Sequence, residues 1–341
     1  MKKIAITFLA TIGFYSAQAQ VDYAIISGKI ENPTADKKIR LYDSAAGKSA
    51  MLNVSADGSF RDTIHLKTPT IYTTSYDSFF SLYVENGMDV QVTFDAKKFK
   101  STLKYEGKGS VENQVLFEKE KFTNELFGED YRTLFSLDKP TFTTKLNDYN
   151  SKIVHLLESN KKNLSANFIS MQSKAQEEFM TGMTAENTKQ LQINEKLIVG
   201  KPSPSFKNYE SQNGKKVSLS DLRGKYVFID VWATWCGPCK YEFPYIKELE
   251  KKYHGKNITF LSISVDRQKD KEKWKKMIVK EGLGGVQLLA DNEIESQFIK
   301  DYFIEGIPRF ILLDPQGNLI SYDTPRPSEP ELITLFDEHG I

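Results

Sequence analysis

A pair of cysteines spaced Cys-X-X-Cys constrains this chain more than any other feature of its sequence. Cys236 and Cys239 are the only two cysteines among 341 residues. Residues 226–231 are apolar enough for a buried strand, and residues 240–253 carry apolar positions at helical spacing. The pattern predicts a strand-to-helix turn with Cys236 at the helix N-terminus, where free amides and the macrodipole favour a thiolate. Such a thiolate attacks a disulfide, and the second cysteine resolves the mixed disulfide.

The same stretch resembles the active site of thioredoxin. Residues 236–244, Cys-Gly-Pro-Cys-Lys-Tyr-Glu-Phe-Pro, further resemble the ResA/TlpA branch of exported thioredoxins, where a glutamate typically follows at the position of Glu242. The resemblance covers residues 200–341. It implies an α/β thioredoxin fold and a redox-active disulfide between Cys236 and Cys239. From the residues alone, a solvated helix carboxylate is an equally good interpretation of Glu242.

The resemblance also implies roles for the residues around the pair. Cys236 is expected to be the nucleophile, with a pKa lowered by the helix N-terminus, and Cys239 the more buried resolving thiol. Gly237-Pro238, the dipeptide of thioredoxin, implies a reducing pair near about −270 mV rather than an oxidant of the DsbA kind near about −120 mV. Four positions are expected to bind substrate: Trp235, Gly237, Pro238 and Ile307.

Asp230 is an acidic residue in an otherwise apolar predicted strand. Burying a carboxylate is costly unless it is protonated or hydrogen-bonded. Its position matches the buried aspartate of thioredoxin, which implies a proton acceptor for Cys239 with a pKa raised by desolvation. The alternative is a structural aspartate with satisfied hydrogen bonds at the edge of the sheet.

Pro308 precedes a predicted strand at residues 310–313. In the family that the chain resembles, the matching proline is cis and packs against the cysteine pair. The backbone of its neighbour, Ile307 here, is then expected to pair with the substrate, so that Pro308 belongs to the catalytic site. The alternative is a trans proline at the start of an edge strand.

The first nineteen residues have the tripartite pattern of a secretory signal peptide, with predicted cleavage after Ala19. A basic start precedes an apolar run at residues 4–15, which is shorter than the ~20 residues that a membrane span needs. No cysteine lies near the cleavage site, so a lipoprotein anchor is not expected. We therefore predict a leader at residues 1–19 and a periplasmic protein.

Residues 20–108 are predicted to form a small all-β domain, because short β-rich runs alternate with turn signals. Asn86-Gly87 predicts a type I′ hairpin between strands at residues 79–84 and 88–94. The domain resembles the β-rich modules often fused to ResA/TlpA-like thioredoxins. Five aromatic residues favour core packing or, alternatively, an exposed binding face: Tyr72, Tyr76, Phe79, Phe80 and Tyr83.

Residues 109–196 are poor in Pro and Gly and carry apolar residues at helical spacing. Amphipathic helices are therefore predicted, with a break before Pro140. A spacer, a lid and a dimerisation arm are all open interpretations of this segment, and the oligomeric state is open as well. Residues 197–341 then show the strand and helix alternation of the thioredoxin-like domain, which is predicted to start with an extended strand at 205–207.

These features predict a thiol:disulfide oxidoreductase, foremost a protein disulfide reductase that exchanges dithiols with exported proteins and accepts electrons from a membrane thiol donor. By family resemblance, apocytochrome c is a possible target. A disulfide isomerase or oxidase, or a binding module with an incidental redox site, are the alternatives. A peroxidase is less favoured because Ala233 stands where such enzymes need a hydroxyl, three residues before the cysteine.

Composition narrows the set of partners. Lys and Arg number 46 against 45 Asp and Glu, so no nucleic-acid partner is expected. The four histidines are scattered and pair with no cysteine, so neither a metal nor another cofactor is expected.

Overall fold

The computed structural model describes residues 21–341, so the predicted leader at residues 1–19 and its cleavage after Ala19 lie outside the described residues. The described chain forms two compact units, residues 21–187 and 188–341. The division predicted from the sequence stays a prediction: 20–108, 109–196 and 197–341.

In residues 21–187, two four-stranded sheets share one hydrophobic core. Their strands are β1 (Tyr23–Glu31), β2 (Lys38–Asp43), β3 (Lys48–Asn53), β4 (Ser59–His65), β5 (Thr70–Tyr76), β6 (Ser78–Val84), β7 (Asp89–Asp95) and β8 (Lys104–Lys108). The first sheet has the order β4-β1-β7-β8, with β1 and β7 parallel, and the second has the antiparallel order β3-β2-β5-β6. Alternate apolar side chains of each strand point inward and fill the core, as do Ile26, Leu41, Leu82 and Val90.

The predicted hairpin at Asn86-Gly87 is wrong, because β6 and β7 belong to different sheets. A type I′ turn needs positive φ at both central residues, whereas Gly87, with φ of 86°, is the one of the two that has it. The side chain of Asn86 instead bonds to Leu66: its Oδ1 accepts from Leu66 N at 3.2 Å and its Nδ2 donates to Leu66 O at 2.7 Å. The turn thus carries the chain from one sheet to the other.

The sequence does not predict β3 and β8, and both are edge strands. β8 is polar, with the sequence Lys-Tyr-Glu-Gly-Lys, and β3 is mixed, with Lys, Ser and Asn beside Ala, Met and Leu. Edge strands tolerate polar residues because one side of their backbone has no partner strand. Charged side chains there oppose unwanted pairing with the edge of another sheet. Of the five aromatic residues singled out in this domain, four are core residues and Phe79 alone is exposed, by 73%.

The helices of this unit are α1 (Phe99–Thr102), α2 (Ser110–Phe127), α3 (Tyr131–Phe135), α4 (Lys139–Asn160) and α5 (Ala166–Lys196). The break predicted before Pro140 is present, since Asp138 caps α4 by accepting a hydrogen bond from Thr141 N at 3.0 Å. The helices form a second apolar cluster around Phe142, Leu146, Tyr149 and Ile153. The boundary between the two compact units falls within α5.

Asn113 of α2 closes the free edge of β6. Its side chain is fully buried; Oδ1 accepts from Tyr83 N at 2.7 Å, and Nδ2 donates to Tyr83 O at 3.0 Å and to Gly109 O at 2.8 Å. An edge strand leaves backbone donors and acceptors unpaired. One amide side chain supplies both partners and ties the helix to the sheet.

In residues 188–341 a seven-stranded sheet has the order β10-β9-β13-β12-β11-β14-β15. Its strands are β9 (Tyr209–Ser211), β10 (Lys216–Val217), β11 (Tyr226–Trp232), β12 (Ile258–Ser264), β13 (Val286–Leu289), β14 (Arg309–Leu313) and β15 (Leu319–Ser321). The helices are α6 (Gly237–Lys252), α7 (Lys271–Glu281), α8 (Gln297–Asp301) and α9 (Glu331–Glu338). The unit has the thioredoxin fold. The strand predicted at 205–207 is wrong, because this stretch pairs with no strand, and the buried ring of Phe206 stacks on Tyr209 at 4.4 Å instead.

β11 lies at the centre of this sheet, parallel to β12 and antiparallel to β14. It is buried on both faces, which explains its nearly continuous apolar sequence. Among residues 21–341, the helices lack the length and apolar character that crossing a bilayer requires.

We expect Asn113→Ala to lower the free energy of unfolding by about 2 kcal/mol or more, because it strands buried backbone groups of Tyr83 without partners. Urea unfolding of the full chain measures the change. Gln114→Ala, at the exposed next position, is the matched control and should cost under about 1 kcal/mol. Equal effects of the two variants would contradict the role of Asn113 at the strand edge.

Candidate active site

The strand-to-helix turn after β11 carries the two cysteines, which are joined in a disulfide with their Cα atoms 5.3 Å apart. Cys236 is the N-cap residue of α6, and its Sγ accepts a hydrogen bond from Cys239 N at 3.1 Å. Cys236 N donates to Ala233 O at 3.0 Å, which closes the turn before the helix. Pro238 stands in the first helical turn, where no amide is needed.

Both sulfur-bearing residues are buried, Cys236 to 4% exposure and Cys239 to 1%. The expected contrast in burial between them is therefore small in the disulfide form. Trp235 is 63% exposed beside them, and Gly237 and Pro238 are exposed as well. The solvent-exposed surface at this point therefore includes these three residues, beside the buried cysteines.

The segment before β14 adds a second wall to the site. The peptide bond between Ile307 and Pro308 is cis, and Ile307 O lies 3.7 Å from Cys236 Sγ. Pairing of β14 with β11, at Arg309 opposite Val231, brings this segment to the turn. The structure therefore gathers the predicted cysteines, Ile307 and Pro308 at one edge of the sheet.

Asp230 lies in the middle of the unit, opposite Phe310 on β14 and Ser262 on β12, with 4% exposure. Desolvation and the nearby negative charge of Glu242 raise the pKa of Asp230 to about 8, against a weaker opposing hydrogen bond from Ser262. At neutral pH this carboxyl is therefore largely protonated. It is able to exchange a proton in the same pH range as a thiol.

Glu242 is buried to 1% exposure, so its interpretation as a solvated helix carboxylate is wrong. Its two carboxylate oxygens accept hydrogen bonds from Ser328 N and Ser328 Oγ, each at 3.0 Å. The segment before α9 thus folds over the active-site helix and replaces water as the partner of this carboxylate. The serine is 86 residues away in sequence, so no local pattern predicts the contact.

A second contact that the sequence does not predict joins Thr234 and Asp266. Thr234 N and Thr234 Oγ1 both donate to the Asp266 carboxylate, at 2.9 Å and 2.7 Å. The one local signal is an acidic residue directly after the apolar run of β12. That signal does not specify a partner on another strand.

Groups of three or more His, Cys, Asp or Glu residues placed to hold a metal ion do not occur within residues 21–341. The arrangement offers the thiol-disulfide chemistry of the two sulfurs, and buried carboxyls lie on β11, on α6 and after β12.

Comparison with known proteins gives the same chemistry. The Redoxin family model matches residues 198–335. The chain is similar to the thiol-disulfide oxidoreductase ResA of Bacillus subtilis (strain 168), with 30% identity over 132 residues that span 38% of this chain and 69% of that protein. It is similar to ResA of Bacillus cereus, with 33% identity over 37% of this chain and 69% of that protein. A solved thiol-disulfide oxidoreductase from Bacteroides fragilis NCTC 9343 is 30% identical and matches 41% of this chain and 100% of its own, with a TM-score of 0.36.

We expect stability to depend on the pH through Asp230. The pKa of Asp230 is raised in the folded protein, so its protonated form stabilises the fold. This contribution to the free energy of unfolding is complete below the unfolded pKa of about 4 and is lost as the pH rises towards about 8. Asp230→Asn removes this loss. The melting temperature of the variant relative to that of the unmodified protein should therefore increase from pH 5 to pH 9, by more than about 3 °C.

Asp337→Asn, at an exposed position of α9, is the matched control and should show a constant difference over the same pH range. A difference between Asp230→Asn and the unmodified protein that stays flat with pH would contradict the raised pKa.

Proposed function

The chain belongs to the ResA family of thiol-disulfide oxidoreductases, and we propose that it acts as a protein disulfide reductase on exported proteins. The observation that carries the proposal is the cysteine pair at the start of α6, with Gly-Pro between the cysteines and Ile307 O 3.7 Å from Cys236 Sγ. Gly-Pro is the dipeptide of thioredoxin, whose pair is reducing at about −270 mV.

The reaction transfers two electrons from the dithiol to the substrate disulfide. The Cys236 thiolate attacks one substrate sulfur, which forms a mixed disulfide and releases the other substrate sulfur as a thiolate. Cys239, after losing its proton, attacks Cys236 Sγ and releases the second substrate thiolate. The substrate leaves as a dithiol and the protein as the Cys236–Cys239 disulfide. A dithiol donor reduces that disulfide by the reverse exchange and is itself oxidised. We propose that this electron donor is a membrane thiol protein.

The assignment of Cys236 as the nucleophile is supported by its place at the N-cap of α6. A thiolate there accepts a hydrogen bond from the Cys239 amide, which lies 3.1 Å from Sγ in the disulfide form. The positive end of the helix stabilises its negative charge. Exposed Trp235, Gly237 and Pro238 lie next to it on the side that a protein substrate approaches.

Ile307 and Pro308 are proposed to hold the substrate backbone. A main-chain carbonyl beside the reactive sulfur pairs naturally with the amide of an extended polypeptide, as in strand addition. Such pairing reads backbone rather than side chains, which suits an enzyme with several protein substrates.

Asp230 is proposed as the proton acceptor for Cys239. With a pKa of about 8, Asp230 is protonated in most molecules at neutral pH, and the ionised fraction, which grows as the pH rises towards 8, is the form that accepts the thiol proton. Residues 1–19 support export to the periplasm as part of the proposal, and apocytochrome c is a proposed substrate class by family resemblance.

The midpoint potential of the Cys236–Cys239 pair tests the direction of the reaction. We expect a value near about −270 mV when the purified protein is equilibrated in dithiothreitol redox buffers. A value above about −180 mV would instead identify a disulfide isomerase or oxidase.

Single cysteine variants test the order of the steps. We expect Cys236→Ser to abolish reduction of a disulfide substrate. Cys239→Ser should stop at the mixed disulfide, because the resolving thiol is missing, and accumulate a covalent complex with the substrate. Non-reducing electrophoresis and mass spectrometry measure both outcomes. A stable complex formed by Cys236→Ser instead would reverse the two roles.

A further inference from the structure

A buried acidic group that the proposed mechanism does not use lies at the same edge of the sheet as the cysteines. Asp266 follows β12, is 1% exposed, and accepts three hydrogen bonds. The donors are Thr234 N at 2.9 Å, Thr234 Oγ1 at 2.7 Å and Ser264 Oγ at 2.7 Å. Three donors around one carboxyl are the surroundings of an ionised, acceptor-only carboxylate. Because burying such a charge is costly, the site that holds it is specifically built.

The carboxylate is itself firmly held. Asp266 N donates to Ser264 Oγ at 3.1 Å while that hydroxyl donates back to the carboxylate, so Asp266 is fixed to the end of β12. The β12 strand pairs with β11 in parallel, residue by residue up to Ser264 opposite Trp232. The Asp266 carboxylate is thus a rigid extension of the sheet beyond the last pair.

Thr234 connects this extension to the nucleophile. It lies two residues before Cys236, is 2% exposed, and gives both its amide and its hydroxyl to Asp266. Between them stands Trp235, which is 63% exposed, so the turn has solvent on its outer side. The bonds to Asp266 hold its inner side, and the bond from Cys236 N to Ala233 O closes it.

We propose that Asp266 is a positioning residue for thiol-disulfide exchange, which acts through Thr234 to hold the turn that carries Cys236. The inference rests on the proposed role of Cys236 as the nucleophile. Exchange requires the attacking sulfur in line with the substrate disulfide, and small misplacements of a reacting atom cost large factors in rate. The Asp266–Thr234 bonds fix the backbone from which that sulfur projects.

The same arrangement affects the redox equilibrium. Both donors of Thr234 are taken by Asp266, and the described hydrogen bond to Cys236 Sγ comes from Cys239 N. A buried negative charge attached to this turn also disfavours a thiolate nearby. Since the thiolate belongs to the reduced state, Asp266 makes the pair easier to oxidise and hence a stronger reductant.

Thr234→Val and Thr234→Ser form the first test. Valine keeps the shape and loses the hydroxyl, whereas serine keeps the hydroxyl. With full-length protein and insulin as the disulfide substrate, we expect kcat/KM to fall about ten-fold in Thr234→Val and to stay within about two-fold in Thr234→Ser. A Thr234→Val protein that reduces insulin at the unmodified rate, or a Thr234→Ser protein equally impaired, would overturn the positioning role.

Asp266→Asn tests the charge and gives a readout that a purely structural role would not move. We expect the equilibrium constant with dithiothreitol to shift about ten-fold towards the reduced dithiol, which is about 30 mV less negative for a two-electron couple. Asp270→Asn, which removes a nearby charge outside the Asp266 contacts, should leave the constant unchanged. An unshifted constant in folded Asp266→Asn would overturn the effect on the equilibrium.

The outcomes separate this inference from the proposed function. If the unmodified protein reduces insulin and the Thr234 variants behave alike, the positioning role fails alone. If the unmodified protein does not exchange disulfides at all, the proposed function fails and this inference fails with it. Should Asp266→Asn not fold, the comparison of the two Thr234 variants decides the positioning role by itself.

Discussion

Backbone pairing along β11 is the interaction on which the redox site depends. The strand ends directly before the turn of Cys236, and each neighbour contributes one wall of the site. β14 brings Ile307 and Pro308 from one side, and β12 brings Asp266 from the other. Because the register of both pairings is fixed by the buried apolar residues of β11, the cysteines and their surroundings are located by the core of the domain rather than by a flexible loop.

Three carboxyl groups, those of Asp230, Glu242 and Asp266, are buried on or directly after the elements that form the site, and each is held differently. Asp230 is desolvated and faces the charge of Glu242, which shifts its protonation into the range of thiols. Glu242 and Asp266 are each held by a serine or threonine that donates through a hydroxyl, with a backbone amide beside it. The same kind of side chain is thus proposed to exchange a proton at Asp230, whereas at Glu242 and Asp266 it is fixed by hydrogen bonds.

The features that the sequence predicts correctly are specified by neighbouring residues. The features that it misses depend on contacts between residues far apart in the chain. The apolar run of β11, the cysteines at the start of α6 and the break at Pro140 are each specified within a few residues. The hairpin at Asn86-Gly87 fails because the parallel pairing of β7 with β1, far away in sequence, overrides a local turn preference. The contacts of Glu242 and Thr234 also depend on partners 86 and 32 residues away. Pairing of this kind is decided by the whole core and leaves no local pattern.

The burial of Cys236 and Cys239, which are 4% and 1% exposed, has a consequence for exchange with other thiols. Small soluble thiols and oxidants reach a sheltered disulfide slowly, since exchange needs an in-line approach to one sulfur. The fold thus shelters the pair from exchange with small thiols and oxidants.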